Sequence, residues 1–535
     1  KPLMQNGSVK SIAVTEKIAT PSIAKGKNFL SMPMLLESIP GTLTDPTTLH
    51  ASDDLGELPL LMTEDAPDPE QVRQERHWAP ERATRGDITV TYLATPRVIT
   101  PQTPPAPLND TRTEGSGVYG ATSLLLAVPE DGWPRKFKLT WDLTMMPAGS
   151  TSASSFGDGD SWTSYTKDQV ESAYFMAGKI HRSPPSGTGN FTVYYLTPPK
   201  FELEAATRFT AATYDYAGKF FGDSSKPFRV FMRTTDRFQG GGGGGLQSFI
   251  FGNVKDQDRD PIEVRSLMAH EAIHNWISSF GEGYAGKWFV EGATEFYSIT
   301  LPRRAGLSTA EEYLNSINAW ARDYYTNPSR DMPDDQATKL FLSNINAQLL
   351  PYQRGPLYIA QVDARMRAAS GGRRSVDELV RPMVRAIRDE RASEKLWQQL
   401  VSDALGAQGI ADYTAFKAGH LLDLPSNAFG ECFKREAASY RDFSPGFRIE
   451  PDPDGTFKAR FIRPDMAGSK AGLLDGDEIL DRNVLKSAKK NAETVVSLKI
   501  RRNNAPMTLS LHPWGPEMSG FRWVRADVTD KSCSS

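Results

Sequence analysis

The chain has little cysteine, no long apolar run and no excess of either charge. Two cysteines among 535 residues, Cys432 and Cys533, are too few for a disulfide framework or a zinc ribbon. One bridge between them and two free thiols fit the sequence equally well. No apolar run approaches the roughly 18 residues that span a bilayer. The 62 basic residues nearly balance the 65 acidic ones, so neither nucleic acid nor a membrane is expected as a partner.

The first ten residues, KPLMQNGSVK, begin without methionine and lack the apolar core of a signal peptide. We interpret the sequence as a mature or trimmed form, which favours a secreted or periplasmic location over a cytoplasmic one. A chain of 535 residues is too long for one hydrophobic core, so two to four domains are expected.

Three changes of pattern divide the chain. Residues 1–160 alternate apolar and polar residues between turns rich in Pro, Gly and Asp, which is typical of a β-sandwich. Residues 161–438 mix helical and strand patterns, and residues 439–516 contain short strand patterns and the segment AGLLDGDEIL. Residues 517–535 are polar and predict a loose tail. The pattern predicts a multidomain α+β protein.

The segment HEAIH, residues 270–274, lies in a helix predicted over 260–281. His270 and His274 are one turn apart on the same face, so both imidazoles can reach a single metal ion. Glu271 is rotated by about 100° from the first histidine. Its carboxylate would therefore lie beside the metal and could take a proton from a zinc-activated water. An HExxH pattern also occurs by coincidence in ordinary helices.

Zinc needs a third protein ligand with a fourth position left open. The segment WFVEGATEFYSITL, residues 288–301, offers one, since sixteen residues separate His274 from Glu291 and allow a second helix to return antiparallel. Glu291 would be the ligand, and Glu295, one turn further, would hold the free nitrogen of His270. Two solvent-facing glutamates are the alternative, but the surrounding residues are aromatic and apolar. The set predicts one Zn²⁺ per chain.

Tyr352 directly precedes a Gly-containing helix start in the segment LLPYQRGPLYIAQVDARMR, residues 349–367. A phenol at such a place can donate a hydrogen bond to the oxyanion that forms when water attacks a carbonyl. A tyrosine in a loop is more often structural, so the residues alone leave both roles open.

HEAIH followed by WFVEGATEFY resembles the zinc signature of the gluzincin metallopeptidases, specifically the glycyl aminopeptidase family with its C-terminal PDZ domain. PYQRG is similar to that group's catalytic-tyrosine segment, which implies that Tyr352 is the oxyanion donor. The resemblance implies a β-sandwich-like N-terminal domain, a thermolysin-like α/β catalytic domain with a helical C-terminal half, and a PDZ-like domain. SPGFRIE, residues 444–450, would be its carboxylate-binding loop, and the PDZ-like domain would either bind peptide C-termini or only pack against the catalytic domain.

Six consecutive glycines, Gly240–Gly245, follow a predicted strand. In the family a Gly-Gly-x-Glu segment at this place helps to hold the free amino end of a peptide, whereas here Gln247 stands where the acid is expected. Gly244 and Gly245 would let a peptide lie against bare backbone as an added strand, and a low-complexity loop is the alternative. The exchange predicts weaker selection for a free amino terminus.

Together these features predict a zinc metallopeptidase that acts on peptides or proteins and is aminopeptidase-like without strict exopeptidase specificity. One alternative is a zinc hydrolase of another bond, such as an ester or an epoxide, with the same ligands. The other is a PDZ-led peptide-binding protein with a retired catalytic domain, against which the intact ligands, base and tyrosine argue.

Overall fold

The computed structural model describes residues 1–19, 22–68, 72–100, 103, 106–186, 189–223, 226–235, 242–255, 259–281, 284–452, 454–481 and 483–526. The chain divides into two compact units, the first of residues 1–211 and 225–265 and the second of residues 212–224 and 266–535. No helix within the described ranges has the length and apolar character needed to cross a bilayer.

The first unit is mostly β-structure. Its strands are β1 (Pro2–Gln5), β2 (Ser8–Ile18), β3 (Leu30–Leu36), β4 (Ile39–Pro40), β5 (His50–Asp53), β6 (Gly56–Glu57), β7 (Leu60–Glu64), β8 (Arg73–Pro80), β9 (Ile88–Ala94), β10 (Arg112–Glu114), β11 (Gly117–Ala121), β12 (Val128–Pro129), β13 (Arg135–Leu139), β14 (Thr151–Ser154), β15 (Gly157–Asp158), β16 (Ser161–Tyr165), β17 (Tyr174–Gly178), β18 (His181–Ser183), β19 (Phe191–Tyr195), β20 (Phe228–Thr235), β21 (Gly242–Gly245) and β22 (Ser248–Val254). Its helical segments are two 3-10 turns (Pro46–Thr48 and Thr122–Leu124), α1 (Lys167–Glu171) and the first parts of α2 (Leu203–Phe221) and α3 (Pro261–Ile273).

Antiparallel pairing dominates the N-terminal strands. One sheet has the order β1-β2-β9-β5-β6, and another has the order β12-β3-β8-β7 with β4 paired to β3. In β9 the residues Ile88, Val90, Tyr92 and Ala94 are buried and alternate with less buried neighbours. This period of two, predicted from the segment DITVTYLA, gives each strand one face toward a shared hydrophobic core.

A mixed sheet ends the first unit, in the order β18-β19-β20-β22-β21. Strands β19, β20 and β22 are parallel, and the crossover between β19 and β20 contains α2. The strand predicted over 228–235 is confirmed by β20. The glycine strand β21 pairs antiparallel with β22 and is the last strand of this sheet in the described residues.

The second unit is mostly helical, with a small sheet near its C-terminus. Its helices are α4 (Lys287–Arg304), α5 (Ala310–Thr326), α6 (Asp334–Lys339), α7 (Ile345–Ser370), α8 (Asp377–Arg388), α9 (Glu394–Lys417), α10 (Ala467–Lys470) and α11 (Val484–Ala488). Its strands are β23 (Phe433–Tyr440), β24 (Arg448–Pro451), β25 (Phe457–Arg460), β26 (Glu478–Ile479), β27 (Val496–Arg502), β28 (Ala505–Leu511) and β29 (Met518–Arg525).

Helices α4 and α7 cross at two glycines. A Cβ atom built on Gly292 would lie 2.6 Å from the backbone of Gly355, and one built on Gly355 would lie 2.6 Å from the carbonyl oxygen of Trp288. Only glycine at both positions allows this close backbone approach. The crossing places Trp288 and Gly292 of α4 against Gly355 of α7.

Strands β24 to β28 form an antiparallel five-stranded sheet around a core of their own. The PDZ-like interpretation of this segment stays a prediction, as do the predicted domain boundaries at residues 160, 438 and 516. The chain is nevertheless a multidomain protein of mixed helices and sheets, as expected.

The prediction of a loose tail over 517–535 is wrong for its first half. Residues 518–525 form β29, which pairs antiparallel with β23 over eight residues. Trp523 is 1% exposed, and its indole donates a hydrogen bond to the carbonyl of Ser426. The pairing joins strands separated by more than 70 residues, so the local polar composition did not indicate it. Residues 527–535, Cys533 among them, lie outside the described residues, and Cys432 is not a free thiol.

Candidate metal centre

The HEAIH segment lies at the C-terminal end of α3. The helix begins where predicted, with the side chain of Asp260 accepting a hydrogen bond from a backbone N–H of the first turn at 2.8 Å. It ends at Ile273 rather than near residue 281, so His274 is the first residue of the turn that follows. Backbone N–H groups after His274 still bond carbonyl groups of the last helical turn, which keeps His274 one turn from His270.

Three side chains of the second unit converge at this turn. The Nε2 atoms of His270 and His274 are 3.0 Å apart. Oε2 of Glu291, on α4, lies 3.4 Å from the first of these atoms and 3.2 Å from the second. His270 and Glu291 are buried, and His274 is partly buried. The predicted ligand set is thus brought together by two helices and one turn.

The arrangement of these three atoms suits coordination of a metal ion better than direct hydrogen bonding among the side chains. Both imidazole nitrogens face the same point, and no donor among the described residues meets Oε2 of Glu291 in hydrogen-bond geometry although that atom is buried. Ligand atoms around a tetrahedral zinc ion, with Zn–N distances near 2.0–2.1 Å, are about 3.3 Å apart. The observed separations of 3.0, 3.2 and 3.4 Å are close to that value. Two histidines and a carboxylate are also ligands that zinc accepts.

Outer groups hold both histidines. Nδ1 of His270 lies 3.1 Å from Oε1 of Glu295, and Oε2 of Glu295 accepts a hydrogen bond from the indole of Trp320 at 3.1 Å. Nδ1 of His274 lies 2.9 Å from the carbonyl oxygen of Ile277. The carbonyl of Ile277 thus engages Nδ1 of His274, and the carboxylate of Glu295 lies beside Nδ1 of His270 as a charge partner, so both Nε2 atoms remain for a metal. Glu295 lies where its spacing placed it, beside His270.

Two neighbours of this site were missed by the sequence analysis. Nζ of Lys287 lies 2.9 Å from Oε1 of Glu291, and Trp320 reaches Glu295 from α5. The first contact has a local signal, because a lysine four residues before a glutamate on a helix faces it. The second has none, since α5 is brought to the site only by tertiary packing.

Charge is concentrated in this buried space. Burial lowers the pKa of His270, but the carboxylates of Glu295 and Glu291 outweigh that effect and hold the pKa well above its ordinary value. Burial likewise acts against a charged Glu291, yet His274, His270 and Lys287 hold the pKa of its carboxyl well below the usual range. Glu291 is therefore an anionic carboxylate, the form in which it can bind a cation.

The sequence predicted that Tyr352 directly precedes a helix. In the structure it lies inside α7 instead. Pro351 and Pro356 both lie inside this helix, and close packing against α4 at the glycine crossing offsets the backbone hydrogen bonds that they remove. The Tyr352 ring stacks on His270 with centroids 5.8 Å apart. Burial raises the pKa of its phenol well above the ordinary value, as do nearby carboxylates, Glu291 foremost. The hydroxyl is therefore protonated, and a hydrogen-bond donor, at neutral pH.

Glu271 is half-buried and is not one of the three converging ligands. Its charge contributes to the raised pKa values of both Tyr352 and His270, which places its carboxylate near each of them. The carboxylate of Glu271 thus lies beside the three converging side chains but outside their set.

The glycine strand β21 belongs to the first unit. A Cβ on Gly245 would lie 2.3 Å from the carbonyl oxygen of Ser172 and 2.7 Å from the Tyr174 ring, whereas one on Gly244 would meet nothing within 4 Å. Gln247 occupies the tight turn between β21 and β22 with a φ of +45°, and its carbonyl accepts the N–H of Arg229 at 3.0 Å. Gly240 and Gly241 lie outside the described residues.

Comparison with known proteins adds a family match and a fold match. The family model of the M61 glycyl aminopeptidases matches residues 282–348, which include Glu291 and Glu295 but neither HEAIH nor Tyr352. No curated protein matches the chain in sequence.

Among solved structures, the chain is similar to an aminopeptidase N family protein from Idiomarina loihiensis. That match has a TM-score of 0.66 and 14% identity and covers 99% of this chain and 98% of the other. An M1 zinc metallopeptidase from Deinococcus radiodurans matches with a TM-score of 0.46 and 15% identity, covering 78% of this chain and 92% of that one. The predicted resemblance is confirmed: the chain is similar to glycyl aminopeptidases in sequence over residues 282–348, and to an aminopeptidase N family protein in fold over nearly its whole length.

Proposed function

We propose that the protein is a zinc-dependent metallopeptidase that hydrolyses peptide bonds. The observation that carries the proposal is the convergence of three buried or half-buried ligand atoms, from His270, His274 and Glu291, with outer partners on each ligand. The family match over residues 282–348 supports a peptide as the substrate.

His270, His274 and Glu291 would hold the zinc ion, and a set of three protein ligands would leave a place for water. Bound zinc supplies Lewis-acid chemistry, lowering the pKa of a coordinated water toward about 7. Glu271, outside the ligand set, accepts the proton of the attacking water and delivers it to the nitrogen of the leaving amine. The same carboxylate thus serves as base in the first step and, once protonated, as acid in the second.

Tyr352 stabilises the negative charge that develops on the substrate. When water adds to the peptide carbonyl, its oxygen becomes an oxyanion, and a buried hydroxyl donor nearby stabilises that charge more than it stabilises the neutral carbonyl. The phenol is suited to this role because burial and the neighbouring carboxylates keep it protonated. Its stacking on His270 restricts the ring to one side of the ligand set.

The glycine strand would supply substrate binding. As the last described strand of its sheet, β21 would accept an extended peptide through backbone hydrogen bonds, and Gly244 is exposed, although its carbonyl also accepts the Tyr174 hydroxyl at 3.3 Å. Gln247 offers no negative charge to a cationic amino terminus. We therefore infer an aminopeptidase-like enzyme that also cleaves peptides with a blocked amino terminus. The PDZ-like sheet would, on the same proposal, bind peptide C-termini.

Metal analysis combined with mapping of cleavage sites tests the proposal. The purified chain should contain one zinc ion, lose activity on chelation and regain it with Zn²⁺. Mass spectrometry of a mixed peptide library should then show internal and terminal cuts. Ester and epoxide substrates run in parallel identify another hydrolase if only they react. A fully active preparation without metal would exclude a zinc enzyme altogether.

A further inference from the structure

Lys287 contacts the proposed carboxylate ligand from outside the ligand set. It is the first residue of α4 and precedes Glu291 by one helical turn. Its Nζ lies 2.9 Å from Oε1 of Glu291, whose side chain is only 3% exposed. The lysine side chain itself is 23% exposed, so its ammonium lies at the edge of the buried space.

The stability of α4 does not account for a lysine at this position. The first turn of a helix carries the positive end of the helix dipole, which disfavours a cation. The helix also starts without a side-chain cap, after Gly286 in a left-handed conformation with φ of +75°. The charge of Lys287 is favoured by the contact with Glu291, at 2.9 Å, and more weakly by the Phe341 ring, whose centroid lies 5.9 Å from Nζ.

The two oxygens of Glu291 have different surroundings. Oε1 receives the ammonium of Lys287, whereas Oε2 faces the Nε2 atoms of both histidines and has no hydrogen-bond donor among the described residues. A carboxylate with both oxygens free can bind a metal through either or both. Here one oxygen is already engaged, so only the other is available to a cation between the histidines.

We propose that Lys287 is a positioning residue that makes Glu291 bind zinc through Oε2 alone. The inference rests on the zinc site of the proposed function and deepens it. Holding Oε1 fixes the rotation of the carboxylate, and a single coordinating oxygen leaves the fourth position of a tetrahedral ion to water.

Zinc affinity and metal spectroscopy of matched lysine variants test the proposal. Lys287→Met keeps the length of the side chain and removes its charge, and Lys287→Arg restores the charge. Lys339→Met is the control, because Lys339 forms a pair of the same i,i+4 spacing with Asp335 on α6 at 3.9 Å, with both side chains more than 70% exposed. Zinc dissociation constants come from chelator competition, and the absorption spectrum of the Co²⁺-substituted chain reports the coordination.

Lys287→Met should weaken zinc binding by about 10- to 100-fold, the usual effect of losing an outer partner of a ligand. It should also change the Co²⁺ spectrum, while Lys287→Arg recovers most of the affinity and Lys339→Met behaves as wild type. Thermal unfolding of the metal-free variants separates a site effect from misfolding. If Lys287→Met destabilises the metal-free chain, Lys287→Gln is measured in its place. The Co²⁺ spectrum of that variant then shows whether the coordination by Glu291 has changed.

Equal zinc affinity and an unchanged Co²⁺ spectrum in Lys287→Met would overturn the role of Lys287 and leave the metallopeptidase proposal intact. A wild-type chain that binds no zinc would overturn both. A chain that binds zinc but cleaves no peptide would contradict only the proposed function, since the affinity difference between variants is measured without substrate.

Discussion

The end of α3 and the start of α4 differ sharply from the glycine strand β21 in how they present chemistry. In the helical region, side chains of His270, His274 and Glu291 meet within 3.4 Å, and each has a further partner behind it. In β21 there are no side chains, and what the strand offers is backbone N–H and C=O groups. The helical region offers side-chain functional groups at fixed positions, whereas the strand offers a backbone that no side chain covers.

The difference determines what a substitution does in each region. In the helical region, a change of one functional group alters chemistry while the packing of α4 and α7 remains. In the strand, adding a single carbon atom alters packing or access without changing any functional group. Four predictions separate these two kinds of effect, from the largest to the smallest.

Glu271→Gln should retain zinc and lose activity by about 100- to 10,000-fold, because the amide keeps the shape of the side chain but accepts no proton. His274→Ala is the paired variant and should lose both metal and activity. Metal content and kcat/KM on one peptide measure the two effects. Near-normal turnover in Glu271→Gln would show that this carboxylate is not the base.

Tyr352→Phe should lower kcat by about 100- to 1,000-fold with little change in KM, the usual cost of removing one oxyanion donor. The ring, and with it the stacking on His270, is retained, so zinc affinity should not change. Steady-state kinetics together with zinc titration measure this. An effect limited to KM would assign the phenol to substrate binding instead.

Gly245→Ala should destabilise the first unit by about 1–3 kcal/mol, since its new methyl group would overlap Ser172 and Tyr174. Gly244→Ala is the matched control, because a Cβ there meets nothing within 4 Å. Chemical denaturation of both variants gives the free energies of unfolding. If a peptide lies along β21, Gly244→Ala should slow cleavage without unfolding the protein, and unaltered kinetics would argue against strand addition.

Gln247→Glu should shift preference toward peptides with a free amino terminus by about tenfold. A carboxylate facing the cationic amine makes a charge-assisted hydrogen bond of about 1.5–3 kcal/mol, against about 1 kcal/mol for a neutral pair. The comparison is an aminoacyl anilide against its N-acetylated form, in wild type and variant. If acetylation already abolishes cleavage by the wild type, another group recognises the amine.

Local spacing was sufficient to predict that His270, His274 and Glu291 converge. Residues one turn apart on a helix face the same way whatever surrounds them, so the pairs His270 with His274 and Glu291 with Glu295 follow from backbone geometry. The strand at 228–235 and the alternation in β9 were predictable for the same reason. The contact between Lys287 and Glu291 has the same i,i+4 spacing and could have been predicted too.

Tertiary structure decided the features that depend on distant partners. Tyr352 was expected before a helix start, whereas it lies inside the continuous helix α7, which packs closely against α4 at the glycine crossing. Trp320 reaches Glu295 because α5 packs there, and β29 exists because β23 pairs with it. The sequence by itself determined which groups could perform the chemistry, because residue types and their spacing along the chain are fixed by the covalent structure. Which of them are buried, charged and held by a partner was decided only by packing, because burial and charge depend on residues far away in the chain.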